Sequence, residues 1–233
     1  GADVEAWADL FAFAGARYVV PVTKHHDGFC MWDTSIPNPH REQWQSPRDL
    51  IGDLLAATSA RGLRNGLYYS GGIDWTFVPP PINSFESMLK AIPDTPEYID
   101  YCLGQVHELV ERYSPGVLWN DIGWPASADP NETFEWYYRQ VPDGVVNDRY
   151  DVIKVMQGQL HADFTTPEYS SKSYSTRKFE VCRGIGRSFG YNRAEAEATM
   201  LDPTELVHMV CDIVARGGNL LLNAGPTADG AIP

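Results

Sequence analysis

An indole and a carboxylate lie two positions apart where the apolar run 117–121 (VLWND) ends, as Trp119 and Asp121. Side chains of a strand alternate between its two faces, so these two share a face if the strand extends that far. An aromatic ring can stack on the apolar C–H face of a sugar while the neighbouring carboxylate acts on the reacting carbon. The pair also fits a buried aromatic beside a helix-capping carboxylate, and the local sequence leaves both interpretations open.

Two adjacent histidines, His25 and His26, follow another apolar run, 17–23 (RYVVPVT). Histidines at the end of a strand can hydrogen-bond a ligand, bind a metal ion or serve a structural purpose. A metal site needs a further ligand and supporting hydrogen bonds, and neither HExxH nor HxH spacing occurs in the sequence. Hydrogen bonding to a ligand is therefore favoured, and no metal site is predicted.

Hydrolysis of a glycosidic bond needs a second carboxyl group, which protonates the leaving oxygen while the first acts as nucleophile or base. Beside Asp121, five acidic residues could supply it: Asp27, Asp74, Asp148, Glu168 and Glu180. Glu168 lies in the loop-like segment TTPEYSS, and loops often carry catalytic residues. Glu180 lies in the strand-like segment KFEVC. Glu168 is the first choice and Glu180 the fallback.

Two further segments carry candidate binding groups. Arg149 closes the short run VVNDRY, where its cation can hold a sugar hydroxyl or form an ordinary surface ion pair. The glycine-rich segment 184–193 (GIGRSFGYNR) surrounds Phe189 and lacks the Lys-Ser/Thr ending of a phosphate-binding loop. An aromatic platform is at least as good an interpretation of that segment.

Helix-like and strand-like segments alternate along the chain. The 3.6-residue spacing of apolar positions predicts helices at 3–14, 47–61, 95–113, 132–140 and 203–215. The apolar face of the first helix is predicted to carry Val4, Trp7, Leu10, Phe11 and Ala14, and that of the third Tyr98, Tyr101, Cys102, Val106, Leu109 and Val110. Short apolar runs predict strands at 17–23, 63–69, 116–120, 144–147 and 219–223. We expect Ser46 to cap the second helix and Gly62 to end it. This alternation predicts an α/β fold with parallel strands.

The placing of polar clusters favours a (β/α)₈ TIM-barrel-like domain. No GxGxxG or Walker pattern follows the first strand. Polar and aromatic groups instead follow nearly every strand, as they do at the C-terminal face of such barrels. About six or seven strands are predicted against eight in a barrel of ~250 residues. We therefore expect residues 1–233 to form a single partial barrel that lacks N-terminal units.

The composition of the chain limits the kinds of molecule that it could bind. Of 233 residues, 18 are Lys or Arg and 31 are Asp or Glu, so the net charge is −13. That balance argues against nucleic acid and anionic membrane surfaces. The 7 Trp, 12 Tyr and 9 Phe residues suit a small neutral polar ligand such as a sugar. The four cysteines form no CxxC pair, which argues against a zinc knuckle. A domain of this size does not need disulfides, so buried free thiols are expected.

Six blocks together resemble the α-L-fucosidases of glycoside hydrolase family 29, especially the bacterial ones. They are VTKHHDGFCMWD, SPRDLIGDLLAATSARGLRNGLYYSGGIDW, VLWNDIGWP, VVNDRY, FEVCRGIGRSFGYNR and RGGNLLLNAGPTADG. The blocks occur in family order and span nearly the whole chain. The resemblance implies a (β/α)₈-like catalytic domain and a retaining mechanism. That family usually carries a C-terminal β-sandwich as well, and we expect none within residues 1–233.

The resemblance also implies roles for individual residues. Asp121 matches the nucleophile, and Glu168 resembles the acid/base of the bacterial members, with Glu180 as the fallback. Residues that match the fucose pocket are His25, His26, Tyr68, Trp119, Arg149 and Phe189. Phe189 resembles the aromatic under the fucose methyl group. The implied partner is a fucosylated oligosaccharide or glycoconjugate, and neither a metal nor an organic cofactor is implied.

Other functions remain open from sequence. The family's further pocket histidine and tryptophan precede the point where this chain starts, so a non-catalytic or inactive fucose-binding truncated barrel is the main alternative. A metal-dependent barrel enzyme would use His25, His26 and Asp121. A related glycosidase would take another sugar, such as a galactoside. A homo-oligomer is compatible with the sequence, and the compartment is not indicated.

Overall fold

The computed structural model describes residues 2–78, 81–169 and 177–232. The chain divides into two compact units. The N-terminal unit is Val4–Ala162, and the C-terminal unit is Asp163–Pro233 together with Gly1–Asp3. Within the described ranges, no helix combines the length and the apolar character needed to cross a membrane.

The N-terminal unit is built on a parallel five-stranded sheet. Its strands are β1 (Tyr18–Val19), β2 (Val22–Lys24), β3 (Arg64–Tyr69), β4 (Val117–Asn120) and β5 (Val145–Val146). The central strand β3 pairs with β1 and β2 at one edge and with β4 at the other, and β4 pairs with β5. Parallel neighbours require crossover connections, which helices supply here. The predicted α/β class with parallel pairing is confirmed.

Six helices in the described part of this unit flank or connect the strands. They are α1 (Val4–Phe13), α2 (Leu50–Ala60), α3 (Phe85–Lys90), α4 (Pro96–Tyr113), α5 (Pro130–Gln140) and α6 (Val152–Met156). Helix α4 begins after Thr95, whose side chain accepts a hydrogen bond from the Tyr98 amide. Its buried face carries the residues that the periodicity predicted: Tyr98, Tyr101, Cys102, Val106, Leu109 and Val110. Burying each large side chain stabilises the fold by about 1.5–3 kcal/mol.

Several local predictions are wrong. Asp49, not Ser46, caps α2 by accepting a hydrogen bond from the Gly52 amide at 2.8 Å. The predicted strand 17–23 is split into β1 and β2 around Pro21, which has no N–H for a strand ladder. The short helices α3 and α6 lie in segments where no helix was predicted. Leu10, expected to face inward, is 43% exposed, and the buried residues of α1 are Val4 and Ala8.

The C-terminal unit has a two-stranded parallel sheet of β6 (Glu180–Gly184) and β7 (Asn219–Asn223), connected by α7 (Pro203–Ala215). The bounds of α7 and β7 match the sequence prediction. A 3₁₀ turn, Glu197–Thr199, precedes α7. The buried core of the unit consists of Phe179, Val181 and Ile213.

The cysteines follow the prediction in part. Cys30, Cys102 and Cys182 are buried, whereas Cys211 on α7 is exposed. All four lie in the described part of the chain, and no disulfide joins them there.

Candidate active site

The C-terminal ends of β2, β3 and β4 bring the predicted site residues of the N-terminal unit together. In the sheet register, Tyr68 pairs with Val22 on one side and with Trp119 on the other. The histidines follow β2 directly, and Asp121 follows β4. Carboxyl ends of parallel strands meet at one edge of a sheet, which is where (β/α)-type sites form.

Three rings and a guanidinium group form a column across these strands. The rings of His25 and Tyr68 stack at 5.7 Å between centroids, with an interplanar angle of 4°. Tyr68 and Trp119 stack at 5.4 Å and 23°. The Arg149 Cζ atom lies 4.7 Å from the centroid of the Trp119 ring, a cation–π contact. The column fixes the polar ends of these side chains relative to one another.

Both oxygens of the Asp121 carboxylate are held in place. The Tyr68 hydroxyl donates to Oδ2 at 2.7 Å, and Arg149 Nη1 donates to Oδ1 at 2.9 Å. The Asp121 amide donates to the Tyr69 carbonyl at 3.1 Å, which extends the ladder one residue beyond β4. Helix α5, the next helix, is capped by Asp129. The helix-capping interpretation of Asp121 is therefore wrong, and its side chain belongs to the pocket.

The two histidines are neutral hydrogen-bonding groups at neutral pH. The pKa of His26 is lowered to about 4, mainly by burial and secondly by the neighbouring His25. Burial likewise lowers the pKa of His25. His26 Nδ1 lies 2.6 Å from the Ser70 hydroxyl, and its Nε2 lies 3.9 Å from Asp121 Oδ2. These rings can thus exchange hydrogen bonds with a sugar without adding positive charge to the pocket.

A buried ion pair anchors the turn that carries the histidines. Lys24 Nζ lies 2.7 Å from Asp74 Oδ2, and both side chains are 0% exposed. The ammonium group sits over the Tyr69 ring, 4.7 Å from its centroid. The Trp75 amide, next to Asp74, donates to the His26 carbonyl at 2.7 Å. Asp74 is one of the sequence candidates for the second carboxyl group of the site, but its ion pair with Lys24 excludes it from that catalytic role.

Two asparagines brace the neighbouring loops. Asn120 Oδ1 accepts from the Gly71 amide at 3.1 Å, and its Nδ2 donates to the Gly123 carbonyl at 2.7 Å. Asn147 exchanges two hydrogen bonds with the Asn120 backbone, at 3.0 and 2.8 Å. Gly72 packs so closely on the Ile122 carbonyl that a Cβ atom there would clash. These contacts fix the turn that follows Asp121.

Sequence reasoning missed these supporting residues. Lys24, Ser70, Asn120 and Asn147 are all polar and buried next to strand ends. A polar residue directly beside a candidate site residue, in a run that otherwise reads as apolar, was the available signal.

His25, His26 and Asp121 are also the described cluster that could hold a metal ion, with one ligand atom from each within 4.8 Å of the others. Both Asp121 oxygens already accept hydrogen bonds, one of them from the positively charged Arg149. A cation at Asp121 would face that guanidinium charge. The donor set fits a neutral polyhydroxylated ligand better than a metal ion.

The C-terminal unit holds the remaining candidates. Glu168 is exposed, and its backbone forms a parallel bridge with Cys182 of β6. Glu180, at the start of β6, is only 3% exposed. Phe189 is half-buried, edge-on to the Tyr169 ring at 5.4 Å between centroids. The spacing between Asp121 and either glutamate stays a prediction.

Comparison with known proteins gives a consistent picture. A family model described as Alpha-L-fucosidase matches residues 2–233. The tissue α-L-fucosidase of Rattus norvegicus is 35% identical over 98% of this chain and 50% of its own length. This chain thus spans about half the length of the curated relatives it matches.

Solved structures match over the whole chain. The α-fucosidase of Thermotoga maritima in complex with a mechanism-based inhibitor is 49% identical, with a TM-score of 0.89. The same enzyme in complex with fucose is 48% identical, with a TM-score of 0.88. In both cases the match covers 100% of this chain and 52% of the other. The likeness confirms the predicted TIM-barrel-like class.

Proposed function

Because this chain belongs to the α-L-fucosidase family, we propose that it hydrolyses terminal α-L-fucosides with retention, through a covalent fucosyl-enzyme. The observation that carries the proposal is the Asp121 carboxylate. It is held at both oxygens by Tyr68 and Arg149, beside two histidines that stay neutral at pH 7. This arrangement presents a fixed oxygen nucleophile within a pocket of aromatic faces and uncharged hydrogen-bonding groups.

In the first step, an Asp121 oxygen attacks C1 of the fucoside while the bond from C1 to the leaving oxygen breaks. Glu168 gives its proton to that leaving oxygen. Since Tyr68 and Arg149 orient the carboxylate before the substrate arrives, little reorganisation accompanies the attack. The product is an ester between Asp121 and fucose, together with the free alcohol.

In the second step, Glu168 takes a proton from water as the water oxygen attacks C1. The ester bond breaks, and its electron pair returns to Asp121. The hydroxyl of Tyr68 and the guanidinium of Arg149 are already placed to donate to the negative charge that reappears there. Two inversions at C1 give L-fucose with retained configuration, and two carboxyl groups in such enzymes lie ~5–5.5 Å apart.

Solvent access supports Glu168 over Glu180 as the acid/base. The group must exchange protons with both a leaving oxygen and water, and Glu168 is exposed whereas Glu180 is 3% exposed on β6. Phe189 is proposed to contact the C6 methyl of fucose. An apolar ring leaves the added hydroxyl of a galactoside without a partner, although such discrimination is often weak.

Two properties of the solved relatives support the substrate and the mechanism. A structure of the Thermotoga maritima enzyme holds fucose, and another holds a mechanism-based inhibitor. At 48–49% identity, this chain shares their fold along its full length. We propose the same sugar for the pocket formed by His25, His26, Tyr68, Trp119 and Arg149.

The test is hydrolysis of an aryl α-L-fucoside by the chain, with the anomer of the first product followed by NMR. We expect α-L-fucose first, and a loss of turnover by about 10³-fold or more in Asp121→Ala, as for removal of a catalytic nucleophile. Asp143→Ala, which removes an exposed carboxylate from the same unit, is the matched control and should keep wild-type activity. Inverted product, or near-wild-type activity of Asp121→Ala, would overturn the proposal.

Glu168→Gln and Glu180→Gln separate the two acid/base candidates. If Glu168 is the acid, its variant should lose much more activity on a fucoside with a poor alkyl leaving group than on a nitrophenyl fucoside. Glu180→Gln should not show that dependence on the leaving group. The reverse pattern would assign the role to Glu180.

A further inference from the structure

A buried serine defines which nitrogen of His26 carries the proton. The Ser70 side chain is fully buried, and its Oγ lies 2.7 Å from the Ile73 carbonyl and 2.6 Å from His26 Nδ1. A carbonyl oxygen can only accept, so the single hydroxyl proton of Ser70 goes to Ile73. The short contact with His26 then requires that Nδ1 be the donor.

We propose that Ser70 is a positioning residue that holds His26 in its Nδ1–H tautomer, so that Nε2 presents a lone pair beside Asp121. Nε2 and Asp121 Oδ2 are 3.9 Å apart. In this tautomer both atoms are acceptors and do not bond to each other. The gap therefore suits a group that brings its own hydrogen donors. The identification of that group as a fucose hydroxyl rests on the proposed function.

Backbone hydrogen bonds hold both partners of the Ser70–His26 contact. The Ser70 amide donates to the Lys24 carbonyl at 3.0 Å, just before the histidine turn. The Trp75 amide donates to the His26 carbonyl at 2.7 Å. The two segments are thus aligned independently of the Ser70 hydroxyl. Replacement by alanine should remove the acceptor for Nδ1 while the chain keeps its path.

The surroundings of His26 keep the ring neutral, so the tautomer is the variable that matters. Burial and His25 lower its pKa to about 4, and Lys24 acts in the same direction. Asp121 and Asp74 act in the opposite direction. From about pH 5 upward the ring holds one proton, and the acceptors around it decide where that proton sits.

Nitrogen NMR of the chain labelled with ¹⁵N-histidine reads the tautomer directly, with His26 assigned from the signals missing in His26→Gln. At pH 7 we expect a pyrrole-like Nδ1 and a pyridine-like Nε2. In Ser70→Ala the proton should move toward Nε2, where Asp121 is then the nearest acceptor. Thr58→Val removes another fully buried hydroxyl, on α2, and should leave the His26 signals unchanged.

Titration with L-fucose measures the consequence for binding. Loss of one hydrogen-bond acceptor predicts about 5- to 10-fold weaker binding in Ser70→Ala and no change in Thr58→Val. A proton on Nε2 of His26 in the wild type would overturn the assignment of the tautomer, and the wild-type spectrum alone shows this. The same tautomer in folded Ser70→Ala as in the wild type would overturn the role of Ser70. Absence of fucoside hydrolysis with the expected spectra would instead overturn the proposed function and leave the role of Ser70 standing.

Discussion

Replacing Lys24 with methionine should destabilise the N-terminal unit strongly. The substitution keeps an unbranched side chain against the Tyr69 ring but removes the charged partner of the fully buried Asp74. Breaking a buried ion pair from one side costs about 3–5 kcal/mol, because the other charge is left without compensation. Asp74 Oδ1 keeps two donors from Thr76, at 2.9 and 2.6 Å. We therefore expect a loss near the lower end, about 3 kcal/mol.

Denaturant unfolding followed by circular dichroism measures this loss. For a protein of this size a decrease of about 3 kcal/mol corresponds to a melting temperature lower by about 6–12 °C. The double variant Lys24→Met/Asp74→Asn removes both charges and should recover part of the loss. A coupling energy of about 2 kcal/mol between the two positions is expected from the double-mutant cycle.

An exposed pair of the same chemistry provides the control. Lys90 and Glu86 are bonded at 2.6 Å on α3, with side chains 74% and 77% exposed. Lys90→Met should leave the unfolding transition almost unchanged, since exposed pairs contribute little. If Lys24→Met were as mild as Lys90→Met, or if the double variant were less stable than the single one, the ion pair would not be the anchor of the histidine turn.

Two other predictions concern the pocket. His26 titrates near 6.5 when unfolded and near 4 when folded, so the unfolded state binds more protons between these values and the free energy of unfolding decreases as pH falls from about 6.5 to 4. The decrease is about 3 kcal/mol for His26, and His26→Gln should remove it. Denaturant unfolding at a series of pH values measures this, and the same dependence of the unfolding free energy on pH in both proteins would contradict the lowered pKa of His26. Tyr68→Phe keeps the ring stack but removes a hydrogen-bond donor to Asp121, so kcat/KM for an aryl fucoside should fall about 10- to 100-fold without loss of stability. Tyr138, whose hydroxyl contacts His161, provides the control, and Tyr138→Phe should match the wild type. Equal activity of the two variants would refute a role for the Tyr68 hydroxyl.

The sequence predicts what depends on local pattern. The spacing of apolar residues locates α4 and its buried face, and the ends of α7 and β7 agree with their prediction. The pairing of Trp119 with Asp121 follows from strand alternation alone. These inferences need no knowledge of which segments meet, because the periods of helices and strands are properties of the chain itself.

Features that depend on contacts between distant segments could not be predicted from the sequence. Asp49 and Ser46 are both good capping residues, and the choice depends on the path of the loop, in which the Ser46 amide donates to the Cys30 carbonyl. Lys24 and Asp74 are 50 residues apart and reveal their pairing only once β2 and β3 lie side by side. Glu168 and Glu180, the two residues proposed for the second carboxyl group, both belong to the C-terminal unit, and local sequence pattern leaves the choice between them open.

The sheet alternation explains why anchors and site residues are neighbours in sequence. Tyr68 faces the pocket and bonds Asp121, whereas Tyr69 is 1% exposed on the opposite face, against Lys24 and Gln105. The same pairing of a buried support with a pocket group recurs as Lys24 with His25 and as Asn120 with Asp121.

A one-residue slip of β3 would exchange these two faces. It would bury the hydroxyl of Tyr68 and bring Tyr69 to Asp121. Buried polar contacts of β3 oppose that slip, because Tyr69 would lose its hydrogen bond to Gln105 and Ser70 its contact with His26. An unpaired buried polar group is costly. The residues that stabilise the N-terminal unit therefore also fix the register on which the geometry of the carboxylate depends.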